Sequence, residues 1–221
     1  MQKSFRMAKI QNWQDDYWLL LMQIYLRRPV GLKPLYSKVM VELSLELHIT
    51  PEALNRQMRR IDTLDTPRIE RIWREYSRNP KRLSRAVQLL RSMMGFNSSG
   101  DFYEGVEVEE TFERDFRPIE ADERLMPISL VLILNLYFLL TPNTMVEETP
   151  EVKELARLMK VPASLIVEVL DIFQHCDPYL NRQDVIISQL LMPCQQVWQR
   201  YGNGDTQLLA TYASQLEEYF K

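Results

Sequence analysis

Leu19-Leu20-Leu21-Met22-Gln23-Ile24-Tyr25-Leu26 recurs 112 residues later as Val131-Leu132-Ile133-Leu134-Asn135-Leu136-Tyr137-Phe138. An apolar run ending in an aromatic ring is common, but here the same shift carries on. Ser37 falls on Thr149, Glu42-Leu43-Ser44 on Glu154-Leu155-Ala156, and Ile49 on Val161. Leu54, Met58 and Ile61 fall on Ile166, Leu170 and Phe173, and Asp65 falls on Asp177. A second block matches at a shift of 125, where Ile72-Trp73-x-x-Tyr76 meets Val197-Trp198-x-x-Tyr201 and Leu83 meets Leu208. A single insertion of 13 residues after Asp177 reconciles the two shifts. Two ordered blocks joined by one insertion predict a chain made from one unit twice, the copies covering roughly 12–95 and 125–221.

The unit reads as helical. Residues 14–27 form a long apolar helix with Asp15 and Asp16 in its first turn and Pro29 and Gly31 beyond its end. Ser37 caps a second helix reaching Leu47. A capping residue directly before proline then recurs, at Thr50-Pro51, Thr66-Pro67, Asn79-Pro80, Thr149-Pro150 and Asp177-Pro178. A cap oxygen takes an orphan N–H, and proline at the first helical position has no N–H to lose. Behind these starts lie apolar faces at helical spacing: Leu54, Met58 and Ile61; Ile69, Ile72, Trp73 and Tyr76; Leu83, Val87 and Leu90. The second copy is expected to place helices over about 128–140, 150–160, 163–174, 184–200 and 206–220. The fold class is therefore all-α: two tandem helical bundles with a helix-turn-helix-like core.

Composition sets the outer bounds. With 46% apolar and 26% charged residues the chain folds rather than staying disordered. Six glycines are too few for a turn-dense β architecture. Cys176 and Cys194 cannot make a disulfide framework or a zinc cage, which points to a reducing, cytoplasmic setting. The N-terminus lacks the apolar core of a signal peptide. Leu125–Leu140 is shorter than the roughly 20 residues of a membrane-spanning helix and reads as a buried central helix.

Charge divides the chain. Residues 1–95 carry a net +9 and the remainder a net −12. This gives a basic first repeat over 1–95, an acidic linker over 96–124 and an acidic second repeat over 125–221. Gly100–Glu123 reads as extended linker, with a short strand or hairpin over Phe102–Phe112 as the alternative.

The chemistry concentrates in the first copy. The helices Ser37–Leu47 and Pro51–Ile61, joined by a tight turn, make a helix-turn-helix pattern. With Leu54, Met58 and Ile61 facing inward, Asn55, Arg56, Gln57, Arg59 and Arg60 occupy the outer arc. Arg suits guanine edges and phosphate, while Asn and Gln suit adenine edges. Arg68, Arg71, Arg74, Arg78, Lys81, Arg82 and Arg85 follow on the next two helices, an electrostatic footprint suited to a phosphate backbone. The second copy has Glu168, Asp171 and Ile172 where the first has Arg56, Arg59 and Arg60.

Three readings of this face stand side by side. It binds DNA; it docks on an acidic protein partner or on the chain's own second half; or it is a solvated face with pairs such as Arg71–Glu75. Catalysis is not expected. His48 and His175 are the only histidines, so zinc-protease and histidine-triad chemistry lack parts. The adjacent His175-Cys176-Asp177 side chains diverge on a helix end, and no glycine-rich phosphate loop is present. Trp73 and Trp198 read as core. No cofactor, metal or membrane partner is expected.

The pattern resembles the helical N-terminal module that precedes the nuclease domain in some bacterial HNH endonucleases. In the second copy it rests on Leu136-Tyr137-Phe138, Pro142, Pro150-Glu151-Val152, Glu154-Leu155-Ala156, Asp177-Pro178 and Val197-Trp198. In the first it rests on Ile24-Tyr25-Leu26, Pro29, Glu42-Leu43-Ser44, Asp65-Thr66-Pro67 and Ile72-Trp73. The resemblance implies a DNA-associated helical module. No HNH motif follows in this chain, so it implies nothing catalytic.

Overall fold

The computed structural model describes residues 13–93, 96, 112–180, 182 and 187–221. The fold is all-α, with no strand among the described residues. The chain divides into two compact units, one of residues 1–33 and 42–105, the other of residues 34–41 and 106–221.

In the first unit α1 (Tyr17–Tyr25) is central and packs against α3 (Pro51–Thr63), α4 (Pro67–Tyr76) and α5 (Pro80–Ser92). α2 (Lys38–Leu47) precedes α3. Tyr17, Trp18, Leu20, Leu21, Met22, Ile24 and Tyr25 of α1 are all buried. Thr50, Thr66 and Asn79 each accept a backbone N–H near the start of their helix, as the Thr-Pro and Asn-Pro pairs predict. Such caps contribute about 1 kcal/mol each.

In the second unit α7 (Pro127–Leu139) is central, and Ile128 through Leu134 along it are buried. It packs against α6 (Phe112–Asp115), α8 (Pro150–Met159), α9 (Ala163–Cys176), α10 (Leu191–Val197) and α11 (Thr206–Leu216). A buried helix is therefore in place within Leu125–Leu140, as expected. No helix among the described residues is long and apolar enough to cross a membrane.

Several local features recur between the two units at the shifts read from the sequence. α2 and α8 match at both ends at a shift of 112. His48 (φ 54°) and Lys160 (φ 58°) close them in the left-handed conformation. The next amides, Ile49 and Val161, donate to Ser44 and Ala156 carbonyls, each at 3.0 Å. This is the six-to-one closure of a helix end, made twice without glycine. Tyr25 meets Trp73 edge-on with ring centroids 6.0 Å apart, and Tyr137 meets Trp198 edge-on at 5.6 Å.

Asp15 and Asp16 precede α1 and do not sit in its first turn. Ser37 Oγ is buried without a hydrogen-bond partner among the described residues and does not cap α2. The Thr149 hydroxyl donates to the Thr144 carbonyl and does not cap α8. Four further expectations need correction. First, Leu208 is 70% exposed and is not the counterpart of buried Leu83. Leu209, Ala213 and Leu216 take the places of Leu83, Val87 and Leu90, at a shift of 126. A π-helical turn, Trp198–Gly202, lies between the two registers and accommodates the extra residue. Gly202 packs on Trp198 so closely that an added Cβ would sit 2.6 Å from the indole.

Second, Asp177-Pro178 does not start a helix. Asp177 ends α9, and its carboxylate takes the Tyr179 N–H at 2.8 Å in a local turn. Third, the helix expected over 184–200 begins only at Leu191, because Ser188 Oγ takes the Leu190 N–H and holds a turn ahead of it. Residues 183–186 lie outside the described residues. Fourth, the expected linker is folded from Phe112 onward: Phe116 and Ile119 are buried, and Ile119 bridges to Asp122. The strand or hairpin alternative, apart from Phe112 itself, lies outside the described residues.

Candidate nucleic-acid interface

α3 is amphipathic in the manner its sequence predicts. Pro51, Leu54, Met58 and Ile61 are buried, so the residues between them turn outward. Arg56 and Arg59 are exposed; Asn55, Gln57 and Arg60 are half-buried. On α4, Ile69 and Ile72 are buried while Arg68, Arg71 and Arg74 are exposed. On α5, Leu83, Val87 and Leu90 are buried while Lys81, Arg82 and Arg85 are exposed. Arg78, in the turn between α4 and α5, is also exposed.

The polar groups divide into two sets. One is engaged within the unit. Arg60 Nε lies 2.8 Å from Asp65, its Nη1 donates to Gln57 Oε1 at 3.0 Å, and its guanidinium sits 5.4 Å above the Trp18 ring. Asn55 accepts from Arg59 Nε at 3.2 Å and donates to the Lys33 carbonyl at 3.5 Å. Arg74 pairs with Glu70, and Arg82 pairs with Glu75 above the Tyr76 ring. The pairing expected between Arg71 and Glu75 is thus replaced by one with Arg82.

The other set is cationic and has no carboxylate partner among the described residues, Arg59 belonging to both sets through its bond to Asn55. Among the described residues Arg56, Arg59, Arg68, Arg71, Arg78, Lys81 and Arg85 form no ion pair. The carboxylates of α4 are taken by Arg74 and Arg82, and Glu46 of α2 is held by Arg91. Positive charge therefore stands in excess on the outer sides of α3, α4 and α5.

Sequence reasoning found the outward cations of α3 to α5 except Arg91, but not the groups that hold some of them. Trp18 beneath Arg60 had only the apolar pattern of α1 as its signal. The Lys33 carbonyl has no side-chain signature at all. Asp65, five residues after Arg60, was readable as a partner but was aligned instead with Asp177. The tyrosine partner equivalent to Asp177 is Asp62: Tyr25 donates to Asp62 at 2.6 Å, and Tyr137 donates to Asp177 at 2.6 Å.

The second unit builds the matching face differently. Glu168 and Asp171 replace Arg56 and Arg59, and Ile172, in place of Arg60, is 1% exposed. Ser188 donates to Glu168 at 3.2 Å, and Arg182 pairs with Asp171 at 2.6 Å. Both partners come from the 13-residue insertion. Through Arg182 and Ser188 the chain itself engages, in the second unit, positions that α3 leaves open in the first.

The cysteine and histidine groups have other occupations. His175 Nδ1 lies 2.8 Å from the Asp171 carbonyl on its own helix. Burial pushes the Cys176 thiol up to about 11, and burial pushes the Cys194 thiol still further up. Both thiols are thus held away from the reactive thiolate. No cluster of His, Cys, Asp and Glu suited to a metal ion occurs among the described residues. Compared with protein-family models, curated proteins and solved structures, the chain matches none.

Proposed function

We propose that this chain is a non-enzymatic, DNA-associated binding protein whose first unit grips nucleic acid through the outer sides of α3, α4 and α5. We further propose that it arose as a tandem duplication of the module that precedes the nuclease domain in some HNH endonucleases, and that it works in the cytoplasm. The observation that carries the binding role is the open set of cations, Arg56, Arg59, Arg68, Arg71, Arg78, Lys81 and Arg85, free of carboxylate partners among the described residues. A phosphate backbone supplies the missing negative charge, and release of its counterions drives association. The reading of a duplication is supported by the recurrence of the α2 and α8 ends at a shift of 112 and by the Tyr–Trp contact present in both units. The non-enzymatic reading is supported by the protonated thiols and the engaged His175.

The test is a titration of wild type and Arg56→Glu/Arg59→Glu/Arg71→Glu with DNA at low and raised salt. Arg60 is left intact because it holds Asp65, Gln57 and Trp18. Wild-type affinity is expected to fall steeply with salt, and the variant to bind about tenfold or more weakly with an unchanged helical spectrum. If wild type fails to bind at low salt, or the variant binds equally well, an acidic protein surface replaces DNA as the partner of this face.

A further inference from the structure

We infer that the nucleic acid taken by this face is a double helix, held by its phosphate backbone without choice of sequence. The inference rests on the reading just given and narrows it.

Sequence-specific reading needs free hydrogen-bonding edges, above all Asn, Gln and Arg poised for bidentate contact with a base. On α3 both amides have their oxygen engaged, and Asn55 its nitrogen as well. Asn55 uses its oxygen for Arg59 and its nitrogen for the Lys33 carbonyl, and Gln57 uses its oxygen for Arg60. What projects beyond them is guanidinium and ammonium, groups that serve to position a protein on phosphates. An Arg56 or Arg59 that reached a guanine edge would instead favour one duplex over another, which the competition below reads.

Single-strand binding has a different requirement. It draws on exposed rings for bases to stack on, worth about 1–3 kcal/mol per base. Every described Trp, Tyr and Phe ring of the first unit is already in contact with another ring or with an arginine of that unit. Trp13 lies against Tyr17 and Trp18, Phe96 against Tyr17, and Trp73 against Tyr25. Arg60 covers Trp18 and Arg82 covers Tyr76. Without stacking the attraction is electrostatic, and the duplex, with one charge per about 1.7 Å of axis, is the denser polyanion.

The experiment is a competition assay with the full chain and a fluorescent 25-base-pair DNA duplex at low salt. Unlabelled competitors are the same duplex, a duplex of unrelated sequence, and a mixed-sequence single strand. The two duplexes are expected to compete within about threefold of each other, and the single strand about tenfold or more weakly. A single strand that competes as well as the duplex, or one duplex preferred by about tenfold, overturns this inference and leaves the DNA-binding role standing. Failure of the labelled duplex to bind, with no binding of a labelled single strand either, overturns both together.

Discussion

α3 and α9 occupy matching places, each after a left-handed closure at His48 or Lys160, yet they are covered to different extents. α3 packs chiefly on α1 and buries one side, Leu54, Met58 and Ile61. α9 packs against α7, α8 and α10 and buries Leu165, Ile166, Val169, Leu170, Ile172, Phe173 and Gln174. The positions that are Gln57 and Arg60 in the first unit are buried Val169 and Ile172 in the second. The helix at this place thus presents an outward polar arc in one unit and has half of its residues buried in the other. The surrounding chain makes the difference: the insertion after Asp177 reaches Glu168 and Asp171, and the first unit has no such segment.

The largest effect is expected from exchanging the two helices at their most divergent position. Ile172→Arg places an uncompensated charge where Ile172 is 1% exposed, at a cost of about 3–5 kcal/mol. The reverse change, Arg60→Ile, removes a part-exposed ion pair (side chains 41% and 37% exposed), the Gln57 hydrogen bond and the contact over Trp18, and costs about 1–2 kcal/mol. Urea unfolding of both variants checks the asymmetry, and equal losses would mean that α3 and α9 are covered alike.

A smaller effect sharpens what the units share. Tyr25→Phe and Tyr137→Phe each remove a hydrogen bond to a carboxylate, worth about 1.5–3 kcal/mol when well formed. The larger loss is expected for Tyr137, since Asp177 is half-buried and Asp62 is exposed. Burial, and then the Asp62 carboxylate, push the Tyr25 phenol up to about 12 from an ordinary value near 10. The folded state therefore keeps a proton that the unfolded chain releases. The stabilisation is complete below pH 10 and fades as pH rises toward about 12. Unfolding curves at neutral pH and near pH 11 should accordingly show the gap between wild type and Tyr25→Phe narrowing with pH.

Much of this was readable because the relevant signals are local. Thr50, Thr66 and Asn79 cap because a short oxygen-bearing side chain before proline can meet an N–H two or three residues on. The outward arc of α3 follows from the 3.6-residue period acting on Leu54, Met58 and Ile61. Where the sequence misled, a longer-range or competing contact decided. Asp177 has the same cap-and-proline signature, but its carboxylate accepts from Tyr137 and from the Tyr179 N–H, so a turn forms in place of a helix. The one-residue change of register near Trp198 is absorbed by a π-helical turn, which leaves no mark in an apolar pattern read at constant period. Tyr36 stacks on Phe116 at 6.0 Å and meets Tyr212 edge-on at 5.8 Å, contacts between residues far apart in the chain that no spacing announces. In the interface, charge was legible and engagement was not. Nothing in the sequence shows that Asn55 is held by the Lys33 carbonyl, or that Arg60 lies over Trp18.

The central claim is that the face left open on α3, α4 and α5 binds DNA while its counterpart on α9 does not. The most direct measurement is an amide NMR titration of the isotope-labelled full chain with a short DNA duplex at low salt. The account predicts that resonances of Asn55–Arg60, Arg68, Arg71 and Lys81–Arg85 shift together, with salt reversing the change, while those of Glu168–Ile172 stay in place. Shifts concentrated on Glu168–Ile172, or none on α3 at saturating duplex, would contradict it.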